Sequence, residues 1–229
     1  MASSSLWRIV PAASAALLAL ILPTGLISAE AIAACPISTR SATAYPTPAQ
    51  LSIDLVSAPA IPVWKTITIG ELPGVNAVRT AIDAAPCPIS IGDWADEILG
   101  RPAFPFRHTK TELDLVTVTV AQLGFGEKGA ALGHIHARAI AFGLELCPAE
   151  AGPILRLNYL DQPPGEFLHI AMQPVARYSG ELVDFTLGNG GAGLLLIGGD
   201  GRPDVIIPSS SRFVFVKPRP PAVVASGKR

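Results

Sequence analysis

The chain has little of what marks most catalytic or nucleic-acid-binding proteins. Charged residues are only 15% of its 229 positions, and 17 Lys and Arg face 18 Asp and Glu, a net charge of -1. A near-neutral chain without a basic stripe does not fit a nucleic-acid partner, which calls for Lys and Arg gathered on one face. No Gly-x-Ser-x-Gly elbow is present, so the usual nucleophile turn of α/β-hydrolases is excluded. The glycines between Gly188 and Gly201 are not followed by Gly-Lys-Ser/Thr and precede strand-like sequence, so they are no phosphate loop. Beyond the first thirty-odd residues no apolar run reaches the ~20 residues of a membrane span without a charge or a proline.

What is present begins with an export signal. Met1 to Ala34 has Arg8 ahead of an apolar run, Ile9 to Ala29, and then Ala31-Ile32-Ala33, which matches an A-x-A cleavage site. The same letters carry a second reading. Ile32-Ala33-Ala34-Cys35 resembles the lipobox of bacterial lipoproteins, in which Cys35 becomes the lipidated first residue; Ile32 replaces the usual leucine, and Glu30 lies close by. Cleavage near Ala33 and lipidation at Cys35 are both carried forward, as is an uncleaved anchor. Export implies an oxidising compartment, a periplasm or cell surface, where paired thiols persist as disulfides. Three cysteines are present, Cys35, Cys87 and Cys147. The expected pair is Cys87 with Cys147, against two buried free thiols.

Residues 35–63 are rich in Pro, Ala, Ser and Thr and read as an extended linker, with Leu51 to Leu55 alternating like a short strand. The tail 218–229 holds three prolines, ends Gly-Lys-Arg, and reads as disordered. Residues 64–217 are then one domain. Strands are expected at 65–69, 113–120, 155–159, 167–172, 182–187, 193–197 and 212–216, from alternation and β-branched content. Helices are expected after Gly74, after Ser90 up to Gly100, and over Ala130–Phe142, where Leu132, Ile135, Ala139 and Phe142 share a face. The strands at 155–159 and 167–172 form an expected hairpin across the loop Asp161–Glu166, with Arg156 and Glu166 pairing across it. Helices early and strands late favour an α+β fold with a mainly antiparallel sheet.

The four histidines are His108, His134, His136 and His169. His134 and His136 would share a face on a strand, but on a helix they point roughly 200° apart, so no metal site is assigned. A cupin pattern fails in both of its boxes: Gly129 and Glu145 are misplaced around the His pair, and His169 falls one residue late after Pro163-Pro164-Gly165. Ser209 to Ser211 are loop serines. Glu145 with Glu150, and Asp161 with Glu166, lack the spacing of a glycosidase pair. Arg156 and Arg177 suit either an anion or a solvated sheet face. Gln122 to Leu146 has the outline of a helix-turn-helix but few donors for base edges. No catalytic, cofactor or metal residue is assigned.

The block GLELCPAEAGPILRLNYLDQPPGEFLHIAMQP, Gly143 to Pro174, resembles a block of a bacterial protein family without assigned function. Trp64–Ile69, Asp93-Trp94-Ala95 and Phe213 to Val216 extend the resemblance over most of 64–217. It implies one coherent domain and a bacterial source, and no site. The expected function is therefore an exported envelope protein with a non-enzymatic binding domain, its partner another envelope protein or cell-wall material. The alternatives are an envelope hydrolase built around His169 and the Asp161–Glu166 loop, and a metal-binding exported protein.

Overall fold

The computed structural model describes residues 61–191 and 193–219. The expected signal peptide, Cys35, the strand at 51–55 and most of the linker and tail lie outside the described residues. An α+β domain forms, with helices packed on both faces of one mixed, mainly antiparallel sheet.

The strands are β1 (Lys65–Ile69), β2 (Ile89–Ile91), β3 (Thr111–Thr119), β4 (Ala130–Ala131), β5 (Phe167–Ile170), β6 (Val175–Ala176), β7 (Leu182–Asn189), β8 (Leu194–Asp200), β9 (Ile206–Ile207) and β10 (Arg212–Lys217). The helices are α1 (Val75–Asp83), α2 (Asp93–Leu99), α3 (Leu132–Ala141) and α4 (Ala151–Asn158). The main sheet runs β1-β3-β10-β5-β7-β8-β2, with β6 on β7; β4 and β9 pair separately. Two joints in the main sheet are parallel, β10 with β5 and β2 with β8.

Central strands explain the most apolar stretches. Arg-Phe-Val-Phe-Val-Lys of β10 is buried over its four middle residues because it has a layer on each face. Val214 and Val216 join Leu115, Ile98, Leu155 and Phe185 in a core beneath α1, α2 and α4. Phe213 and Phe215 join Val116, Val118, Leu132, Ile135 and Ala139 in a second core beneath α3. Sheet alternation thus sends one strand's side chains into two cores.

Three expectations change. Residues 155–159 lie in and just after the helix α4, not in a strand. Their alternation was produced by Arg156, a charged residue that is fully buried, so polarity was a false guide to which side faces water. With no hairpin, Arg156 and Glu166 do not pair as strand neighbours. The domain also reaches past both expected ends. Ile61 is buried in the second core and its carbonyl accepts from Lys217 Nζ at 2.7 Å. Arg219 bonds Asp114 and Glu112, which holds the Asp114 carboxyl down at about 2. Finally, Gly198 and Gly199 are strand residues of β8 rather than a turn. A Cβ on Gly198 would lie 2.6 Å from Trp94 Cβ, and one on Gly199 2.5 Å from Asp184 Oδ1. The pair of glycines lets α2 press on one face of β8 and an aspartate lean across the other.

Among the described residues no helix is long and apolar enough to cross a membrane. The Gln122 end of the helix-turn-helix outline is a turn, so that outline does not form.

Candidate functional site

The expected Cys87–Cys147 disulfide is not made. Cys147 is free and fully buried; its Sγ donates to the Val214 carbonyl, and burial pushes its thiol up to about 12. Cys87 is disulfide-bonded elsewhere. The reason is topological. Cys147 sits against β10, whereas Cys87 leads into β2, four strand positions away along the sheet. At a strand spacing near 4.8 Å that is roughly 19 Å, far beyond the Cα separation a disulfide bridges.

The loop to which the hydrolase alternative points, Asp161–Glu166, is part of a buried polar network. Arg156 Nη1 donates to Gln162 Oε1 and Gly188 O, and its Nη2 to Tyr159 O. Gln162 Nε2 donates to the carbonyls of Glu166 and Leu187. Glu166 accepts from the Tyr159 hydroxyl at 2.7 Å and from Arg212 at 2.9 Å. These bonds fasten the loop after α4 to β7 and β10. Burial lowers Arg156 to about 10. Gln162 and Glu166 are buried as well and bond within the network, while the buried Arg156 Nε has no hydrogen-bond partner among the described residues.

The histidines divide. His108 and His134 are exposed. His136 and His169 come together around Phe213, His169 stacked at 4.9 Å and His136 edge-on at 6.2 Å. From His169 on β5 a polar line crosses to β7. Its Nδ1 lies 3.2 Å from Thr186 Oγ1, and Asp184 follows two residues along the same face. Asp184 is 3% exposed, and its Oδ1 has no hydrogen-bond partner. Burial, aided by nearby Asp200, raises its carboxyl to about 7. Burial alone drops His136 to about 4, and it lowers His169 too. The line closes inward: His169 is half-buried, whereas Thr186 and Asp184 are both buried. Among the described residues no group of three His, Cys, Asp or Glu is placed to hold a metal ion.

The accessible chemistry lies on the opposite face, where α2 meets the turn after β6. Trp94, Glu97 and Arg101 fall at i, i+3 and i+7, one stripe of the helix and its C-terminal extension. The turn Arg177–Glu181 closes through Arg177 N–H to Glu181 O and Gly180 N–H to Arg177 O, with Gly180 at φ 91°. It brings Arg177 and Tyr178 onto that stripe. Glu97 is the joint: its Oε2 accepts from Arg177 Nε at 2.8 Å and its Oε1 from the Tyr178 N–H at 2.7 Å. Those two bonds hold the Glu97 carboxyl below its usual range. The Arg177 guanidinium lies 4.8 Å over the Trp94 ring and also bonds Glu181 at 2.6 Å. Arg101 lies 3.9 Å over the Tyr178 ring. Trp94 nevertheless remains 42% exposed and Tyr178 72%. Each aromatic ring therefore lies against a guanidinium group and still keeps a large solvent-exposed part.

In the sequence Trp94 stands only within the helix expected after Ser90, and Arg177 only as an arginine suited to an anion or to a solvated sheet face. Nothing local connects them, because they are 83 positions apart and meet only through the fold. The one available signal was Arg-Tyr-Ser-Gly-Glu, a turn sequence with an aromatic at its tip.

No protein-family model, curated protein or solved structure matches this chain.

Proposed function

We propose that the chain is an exported binding domain whose recognition surface is the platform of Trp94, Arg101, Arg177 and Tyr178. The carrying observation is the exposure of two large aromatic rings that are already immobilised by stacked guanidinium groups and by Glu97. Side chains ordered before contact lose little entropy on binding, and Trp, Tyr and Arg are the residues that dominate recognition surfaces. Catalysis at the platform has less support: Arg177 and Glu97 are paired with each other, and the platform has neither a raised carboxyl nor an imidazole for proton transfer. The leader supports export, and the resemblance of residues 143–174 supports a bacterial source.

The test is photo-crosslinking in the native cell, with a benzophenone side chain in place of Ser179, beside Tyr178, and a control in place of exposed Glu127. A discrete adduct from position 179 and none from 127 is expected. No adduct from position 179, or equal adducts from both, overturns the reading.

A hydrolase at His169 has one observation in its favour, the imidazole held by Thr186 two residues from a carboxyl that titrates near neutrality. That carboxyl and the Thr186 hydroxyl are buried, which counts against it.

A further inference from the structure

The platform's chemistry points to a class of partner. We infer that it stacks an uncharged hexopyranose ring of a glycan; this rests on the binding reading above and narrows it.

Charge is the first argument. Arg101 and Arg177 are offset by Glu97 and Glu181, so the patch carries two positive and two negative groups and attracts neither polyanions nor polycations. Area is the second. Two partly exposed rings offer on the order of 300 Å², well short of the ~800 Å² per partner of a stable protein interface. That area suits one or two sugar rings. Complementarity is the third. The faces of Trp and Tyr carry the negative part of the ring quadrupole, which meets the slightly positive C–H groups on one side of a pyranose. Around the rings, Glu181 accepts from both Arg177 and Ser179, while Arg101 makes no ion pair among the described residues and keeps guanidinium N–H donors available. Acceptors and donors side by side suit the alternating demands of ring hydroxyls.

Three trisaccharides serve as probes on the full chain: those of β-1,4-linked N-acetylglucosamine, β-1,4-linked glucose and α-1,4-linked glucose. Binding is followed by amide and indole chemical shifts. With at least one probe, saturable shifts are expected at Trp94 and over residues 177–181. Trp94→Ala and Tyr178→Ala should each weaken binding by about tenfold, the loss of one stacked ring. Ile140→Ala, at an exposed apolar residue of α3, should bind as the parent does. Trp94 also packs on β8, so Tyr178→Ala at the turn's tip provides a variant whose fold does not depend on that contact. Shifts that persist in both ring variants, or no saturable shift with any probe, overturn the inference. A chain that forms the position-179 adduct yet ignores all three sugars keeps the recognition surface and loses the glycan.

Discussion

Asp184 and His136 pull the stability of this domain in opposite directions as pH changes. The Asp184 carboxyl is raised from 3.8 to about 7 in the folded chain. Its contribution to folding is complete below about pH 4 and is lost as the pH climbs toward 7, because the unfolded chain ionises first. At about 1.4 kcal/mol per unit, roughly 4 kcal/mol is at stake. His136 is lowered from 6.5 to about 4. Its contribution is complete above 6.5 and is lost as the pH falls toward 4. Asp184→Asn should therefore stabilise the protein by about 2–4 kcal/mol at pH 8 and by much less at pH 4. His136→Phe, which fits beside Phe213 and Phe215 and removes an unpartnered buried nitrogen, should help more at pH 4 than at pH 8. Urea unfolding at the two pH values measures both. Equal effects at each pH would mean that burial does not shift these groups.

At the scale of elements, the platform depends on how closely α2 lies on β8. Gly198 provides that approach, since a methyl group there meets Trp94 Cβ and α2 backbone within 3 Å. Gly198→Ala should cost about 1–3 kcal/mol through overpacking and tilt α2 away from the turn at 177–181. The expected sign is a lower urea midpoint together with altered Trp94 fluorescence. A variant with an unchanged midpoint would show that the helix shifts freely. Element-level reading from sequence did well where periodicity and burial agree: β1, α1, α2, β3, α3, β7 and β10 all lie where alternation or helical spacing put them. It failed at α4 because burial there is not apolar. Arg156 is interior, bonded to Gln162 and to the carbonyls of Tyr159 and Gly188, and a pattern of hydrophobicity has no means of representing a buried, hydrogen-bonded charge.

For the whole molecule, the cysteine count has a consequence at the N-terminus. Among the described residues Cys147 is free and Cys87 is disulfide-bonded, and we propose Cys35, the remaining cysteine of the sequence, as the partner of Cys87. A lipid thioether on Cys35 and a disulfide to Cys87 require the same sulfur, so the two fates of Cys35 exclude each other. Peptide mapping without reductant should give a linked Cys35–Cys87 pair, with Cys147 alkylated only after denaturation. A diacylglycerol-modified Cys35 would refute this and make the chain a lipoprotein.

The amino-acid sequence alone determined the α+β class and most of the elements. These follow from local periodicity and from short contiguous patterns, which need no knowledge of distant contacts. Tertiary structure alone decided which cysteines stay apart, that Glu166 and Gln162 are spent on an internal network, and that Trp94 meets Arg177. Each of these depends on strand order in the sheet, and strand order is set by the summed packing of two cores rather than by any one segment.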